Sequence, residues 1–164
     1  MGSEMCIRDR DGIKLRFLPR HGRGHPLTPS DVNYRANIDA MKRAGCTDIL
    51  SLSAVGSLKE QYPPGDFVVI DQFIDRTFKR EKSFFGKGMV AHVSVADPVC
   101  ERLAGFAARA AKAAGANVHK GGTYLAMEGP QFSTKAESHM YRACLLYTSP
   151  SPRDLSTSRM PSSA

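Results

Sequence analysis

Thr123-Tyr124-Leu125-Ala126-Met127 runs directly into Glu128-Gly129-Pro130-Gln131-Phe132, and this junction decides how the chain folds. The first five residues suit a strand. The glycine and proline that follow end it in a loop, and a short helix is expected to begin near Thr134. Upstream, Pro98 to Ala114 is alanine-rich and helical, with Leu103, Phe106, Ala110 and Ala113 on one stripe, Pro98 near its start and Gly115 at its end. Before it, Phe67 to Ile70 (FVVI) is wholly apolar, as a buried strand is, and follows a Pro63-Pro64-Gly65-Asp66 turn. Asp48 to Ser53 (DILSLS) and Ile13 to Leu18 (IKLRFL) are read as further strands. Between those two, Thr28-Pro29-Ser30-Asp31 offers a helix cap, Tyr34, Ile38 and Met41 share a helical face, and Gly45 can end the helix. The charged, aperiodic stretch from Phe78 to Val90 is expected to be a long surface loop. Strands alternating with helices, with no internal repeat, give an α/β class: a mixed central sheet flanked by helices.

The 164 residues are 41% hydrophobic and 24% charged, enough for one domain with a buried core. No apolar run approaches the ~20 residues that cross a bilayer, and the start has no apolar signal core. Met1-Gly2 opens the chain, but Cys6 stands where a myristoylation signal needs Ser or Thr. A cytoplasmic protein is expected, with no membrane partner. A net charge of +7 and a pI near 9.4 invite nucleic acid. The basic residues are scattered, however, without interleaved aromatics, so no nucleic-acid partner is expected. Such a surface attracts any anion, phosphate included. Cys6, Cys46, Cys100 and Cys144 form no CxxC pair and no zinc spacing. His21 and His25 are separated by two glycines and precede Pro26, which makes a loop and not a metal-binding helix face. No metal is expected.

The two ends read differently. Residues 1–10 have no periodicity, and residues 143–164 are rich in Ser and Pro, as in a disordered tail. Ser3 to Asp9 can be encoded as TCG GAG ATG TGT ATA AGA GAC. The reverse complement, in a shifted frame, reads CTC TTA TAC ACA TCT CCG, which encodes Leu145-Leu146-Tyr147-Thr148-Ser149-Pro150. Inverted repeats of this kind resemble a sequencing adapter translated with a gene fragment. The expected organisation is therefore an adapter-like segment over 1–10, a partial domain over 11–142, and an adapter-like tail over 143–164.

Ligands of α/β sheets gather beyond the carboxyl ends of strands. Three such loops carry suitable chemistry: Arg20-His21, Ser53-Ala54-Val55-Gly56, and Glu128 to Ser133. Arg20 has a planar fork of donors suited to phosphate, and His21 could add another. Ser53 supplies a hydroxyl and the next backbone amides could complete an anion cradle. Phe132 has a flat face for a heteroaromatic base, with Ser133 beside it. Each feature also has a plainer reading: a solvated arginine, a small-residue strand end, a core phenylalanine. There is no GxxxxGK[ST] and no GxGxxG, so triphosphate- and dinucleotide-binding folds lose support.

The ordered set Leu18-Pro19-Arg20-His21-Gly22-Arg23-Gly24-His25, Asn33-Tyr34-Arg35-Ala36-Asn37, Ser53-Ala54-Val55-Gly56-Ser57-Leu58, Pro64-Gly65-Asp66, Asp71-Gln72-Phe73-Ile74-Asp75-Arg76-Thr77 and Glu128-Gly129-Pro130-Gln131-Phe132-Ser133 resembles the methylthioadenosine phosphorylases of the trimeric purine nucleoside phosphorylase family. The resemblance covers Asp11 to Arg142. It implies a nucleoside phosphorylase-like fold and a homotrimer of purine and methionine salvage. The implied reaction has phosphate, a co-substrate and not a cofactor, cleaving 5′-methylthioadenosine to adenine and methylthioribose-1-phosphate. By the same resemblance Arg20, His21, Ser53 and Ala54 bind phosphate, Phe132 stacks on the base, and Ser133 favours a 6-aminopurine where relatives acting on 6-oxopurines carry Glu. His92 resembles a residue that reaches a neighbouring subunit's 5′-substituent pocket. The family's glycine-rich phosphate loop, expected before Asp11, and its base-handling Asp, expected after Arg142, have no match. The chain as it stands is therefore expected to be an incomplete, inactive fragment. The alternatives are a purine nucleoside or methylthioinosine phosphorylase, and a non-catalytic phosphate- or nucleoside-binding module.

Overall fold

Backbone amides and carbonyls must find partners, and among the described residues short strands meet that need in three separate sheets. The computed structural model describes residues 6–144 and 147–149. They fall into two units: the residues up to Ser51 with Phe78–Ala91, and Leu52–Thr77 with the residues from His92 onward.

In the first unit, β1 (Cys6–Arg10) and β2 (Ile13–Phe17) form an antiparallel hairpin in the register Arg8↔Leu15 and Arg10↔Ile13. Its turn holds Asp11 and Gly12, both at positive φ. Helix α1 spans Tyr34–Arg43. It starts later than Thr28–Asp31 suggests. Thr28 Oγ1 instead donates to Asp31 across its own turn, and Asn33 caps the helix by accepting from the Ala36 amide at 3.0 Å. The end is as expected from Gly45. At φ +79 its amide donates to the Lys42 carbonyl and the Cys46 amide to that of Met41, the paired bonds of a Schellman motif. The 78–90 stretch is irregular and mostly exposed. It is tied to α1 where Arg35 donates to the Ser83 carbonyl and Arg80 lies 5.0 Å from the Tyr34 ring centre.

The second unit contains a mixed four-stranded sheet in the order β3–β8–β7–β5, built from Gly56–Ser57, Tyr147–Ser149, Thr123–Ala126 and Gln72–Asp75. Strand β7 is parallel to both neighbours, while β3 runs antiparallel to β8. Strand β5, within the Asp71–Thr77 motif, is a strand that polarity alone did not mark. A second ladder pairs β4 (Phe67–Val69) with β6 (Val118–Lys120) in parallel, and α2 (Glu101–Ala113) packs on it. The α2 stripe differs from expectation. Ala108 is buried, with Ala104, Ala107 and Ala111 half-buried around it, whereas Phe106, Ala110 and Ala113 are exposed. Arginines on both sides, Arg102 and Arg109, lie over the Phe106 ring, which satisfies it at the surface.

Asp48–Ser53 is not a strand. None of its residues is in a strand among the described residues, and Ile49, Leu50 and Leu52 stay exposed. An alternating pattern permits a strand, but only a neighbouring backbone makes one. Strand β8 lies inside the stretch expected to be a tail, and β1 inside the adapter-like start. Ladder bonds use only backbone groups, so they are open to any sequence able to extend. Residues 143 and 144 of the expected tail end α3, and residues 1–5, 145–146 and 150–164 lie outside the described residues.

Helix α3 (Lys135–Cys144) begins with a capping box. The Thr134 amide donates to Glu137 Oε2 at 2.7 Å, and the Glu137 amide to Thr134 Oγ1 at 3.2 Å. It sets Tyr141 against Leu125, which has no accessible surface, with Leu58 and Met127 at the margin. Truncating Leu125→Ala is expected to cost about 2–5 kcal/mol, read as a lower urea midpoint for loss of β-sheet signal. An unchanged midpoint would show that this contact does not hold the sheet.

Candidate functional site

The Arg20 loop of the first unit is wound tightly by its own backbone. Gly22 donates to the Pro19 carbonyl at 2.8 Å, His25 to that of Gly22 at 3.1 Å, and Leu27 to that of His21 at 3.1 Å. Gly22 sits at φ +77, and a Cβ there would lie 3.2 Å from the Pro26 ring, so both the backbone and the space call for glycine. The winding draws His21 inside, only 6% exposed. Its Nδ1 is 2.9 Å from the Leu27 carbonyl oxygen, Arg20 Nε donates to its Nε2 at 3.2 Å, and the His25 ring stacks on it at 4.3 Å. Burial pushes the His21 pKa below its ordinary value. The nearby charges of His25, Arg20 and Arg80 add to that, against the Leu27 bond. Arg80, which the sequence did not single out, buries its Nε without a partner.

The second unit carries the other five predicted residues. Ser53 and Ala54 are exposed in the irregular stretch before β3, His92 is exposed, and Phe132 is 60% exposed. Ser133 is half-buried, its hydroxyl 2.7 Å from that of Ser138. It lines a cavity of about 800 Å³ whose wall also includes Val55 and Gly56, the residues next after Ser53-Ala54. Ser53, Ala54, Phe132 and His92 are not part of that wall. The loop feeding Phe132 and Ser133 leaves β7 through buried Glu128 and a cis Gly129–Pro130 bond.

One face of α3 also lines the cavity. Lys135, Ser138, His139 and Arg142 line it, at the i, i+3, i+4, i+7 spacing that puts residues on one side of a helix. That spacing was available in the sequence. Arg142 donates to the Leu58 carbonyl at 2.9 Å, and its 3.8 Å approach to Glu60 is an exposed pair that adds little. Asp66, also on the wall, accepts a 2.6 Å bond from His119 on β6. The Tyr62 ring meets that imidazole edge-on at 4.7 Å. This cluster escaped the sequence reading, since its members are 53 residues apart. Among the described residues no group of three His, Cys, Asp or Glu could hold a metal ion, and no helix is long and apolar enough to cross a membrane.

The first unit thus holds a basic loop with an arginine bonded to a buried imidazole, and the second, taken by itself, a cavity beside a strand-end loop bearing an exposed aromatic ring. Residues 13–144 match the phosphorylase superfamily, and the chain belongs to that family. Among its relatives, the S-methyl-5′-thioadenosine phosphorylase of Rhodospirillum rubrum is 67% identical over 132 residues, 80% of this chain and 45% of that protein. The enzyme of the same name from Cereibacter sphaeroides is 63% identical over 133 residues, 81% of this chain and 46% of that one. The chain thus spans about half the length of the curated relatives it matches. The solved methylthioadenosine phosphorylase of Schistosoma mansoni in complex with adenine superposes with a TM-score of 0.84 at 37% identity, covering 88% of this chain and 60% of that one. A methylthioadenosine phosphorylase from an antarctic soil metagenomic library superposes with a TM-score of 0.84 at 49% identity, covering 87% of this chain and 51% of that one. The nucleoside phosphorylase fold is therefore shown.

The His119 bond, aided by Asn117, holds the Asp66 carboxyl below its ordinary 3.8. Folding thus favours the carboxylate, and the contribution is present above pH 3.8 and lost as pH falls through the lower folded value. In His119→Phe, carbon-detected NMR should find Asp66 titrating closer to 3.8. An unmoved titration would remove the pair as the cause.

Proposed function

We propose that the chain is a segment of an S-methyl-5′-thioadenosine phosphorylase, and that residues 1–10 and 143–164 are adapter-derived. The observation that carries the activity is the identity of 67% and 63% to two curated enzymes of that name across the matched span. The adenine-bound relative supports a purine substrate.

In this reading phosphate is the nucleophile. One of its oxygens bonds to the anomeric carbon as the glycosidic C–N bond breaks, and the electron pair leaves with adenine, which takes a proton. Arg20, with the His21 beside it, and Ser53 with the Ala54 backbone hold the phosphate as a dianion, which is also the counter-charge for the oxocarbenium-like sugar. Phe132 stacks on the purine. Ser133, small and uncharged, accepts a 6-aminopurine. His92 serves the 5′-substituent pocket of a neighbouring subunit in a cytoplasmic homotrimer. No cofactor enters the chemistry.

The test is adenine release from 5′-methylthioadenosine, with and without phosphate, by the protein expressed from the full genomic reading frame around this sequence. Release should require phosphate. Arg20→Ala should lower kcat/KM about 10- to 100-fold, the loss of a charge-assisted phosphate contact of ~1.5–3 kcal/mol. Faster hypoxanthine release from methylthioinosine would move the assignment to that substrate, and binding without release would make the protein a binding module.

A further inference from the structure

We propose that Ser138 is a positioning residue for base discrimination: when a 6-aminopurine is bound, its hydroxyl accepts the Ser133 proton, so that Ser133 meets the amino group as an acceptor. The proposal rests on the reading of Ser133 as the residue that meets the purine's 6-position, and deepens it. The two hydroxyl oxygens are 2.7 Å apart, and either could be the donor. Both residues are half-buried and line the same cavity. Ser138 is held by the backbone, its amide donating to the Thr134 carbonyl at 2.8 Å. The helix does not need the serine pair in order to begin, because the capping box between Thr134 and Glu137 already starts it. The pair is additional to the cap.

A hydroxyl has one proton and two lone pairs, so a serine by itself can turn to suit either a 6-amino or a 6-oxo group. Its partner decides what each choice costs. A 6-amino group is a donor, and Ser133 can offer it a lone pair only when its own proton goes elsewhere. Ser138 is the acceptor within reach. A 6-oxo group is an acceptor and takes the Ser133 proton directly, which makes Ser138 dispensable. The asymmetry follows from the cost of orphans. A proton shut in without an acceptor is penalised, whereas a spare hydroxyl lone pair costs little. Ser138 therefore supports the amino substrate selectively, although it stands one residue behind the contact.

The test compares kcat/KM for 5′-methylthioadenosine and methylthioinosine in the protein from the complete reading frame. Ser138→Ala removes the acceptor while keeping a good helix former in α3. It should lower kcat/KM for methylthioadenosine about fivefold, the worth of one neutral hydrogen bond, and leave that for methylthioinosine within about twofold. Ser138→Thr, which keeps the hydroxyl, should retain the discrimination. Ser133→Ala should also lower kcat/KM for methylthioadenosine. Adding Ser138→Ala to it should lower that value no further, since no Ser133 proton is left to accept. An unchanged Ser138→Ala, equal losses on both substrates, or a further fall in the double variant would overturn the proposal while leaving Ser133 a base contact. If Ser133→Ala itself alters neither value, the reading of Ser133 fails and this proposal with it.

Discussion

Leu125 is closed on every side. Strand β7 has a parallel neighbour along each edge, and Tyr141 of α3 lies over the Leu125 side chain, which keeps no accessible surface. That burial fixes where β7 stops, and with it where Glu128 to Ser133 leaves the sheet. The capping box at Thr134 then turns the chain back at once, so Ser133 and the polar face of α3 come to one cavity wall. The placement of the loop is a consequence of packing, and its chemistry rides on that placement.

The first unit orders its Arg20 loop by another route. It has little core, with Val32 its buried apolar residue among those described. Order in the Arg20 loop comes from short backbone bonds and from glycines at positive φ. The net charge of +7 attracts anions generally, whereas the bonds of this loop hold one arginine beside a buried imidazole.

Much of this was legible in the sequence, and the gaps have physical causes. Helix ends were readable because Gly45 and Gly115 do something other residues do poorly, adopt positive φ. The start of α1 was misread because Thr28, Asp31 and Asn33 all have capping side chains, and only the turn they fold into selects Asn33. The α2 stripe was misplaced because alanines surround that helix, so no face stands out by hydrophobicity. Asp48–Ser53 had a strand pattern but forms no strand among the described residues, while β5 had a neighbour and little pattern. The site residues named from the sequence rest on the resemblance alone. The His119–Asp66 pair and the burial of His21 were not legible, since they depend on folding that no local spacing encodes.

The most direct test follows the fate of phosphate. When the protein from the complete reading frame turns over 5′-methylthioadenosine in fully 18O-labelled phosphate, mass spectrometry should find methylthioribose-1-phosphate retaining every labelled oxygen, in step with adenine. Free methylthioribose without phosphorus, formed equally well in phosphate-free buffer, would mean that water is the nucleophile and would contradict phosphorolysis.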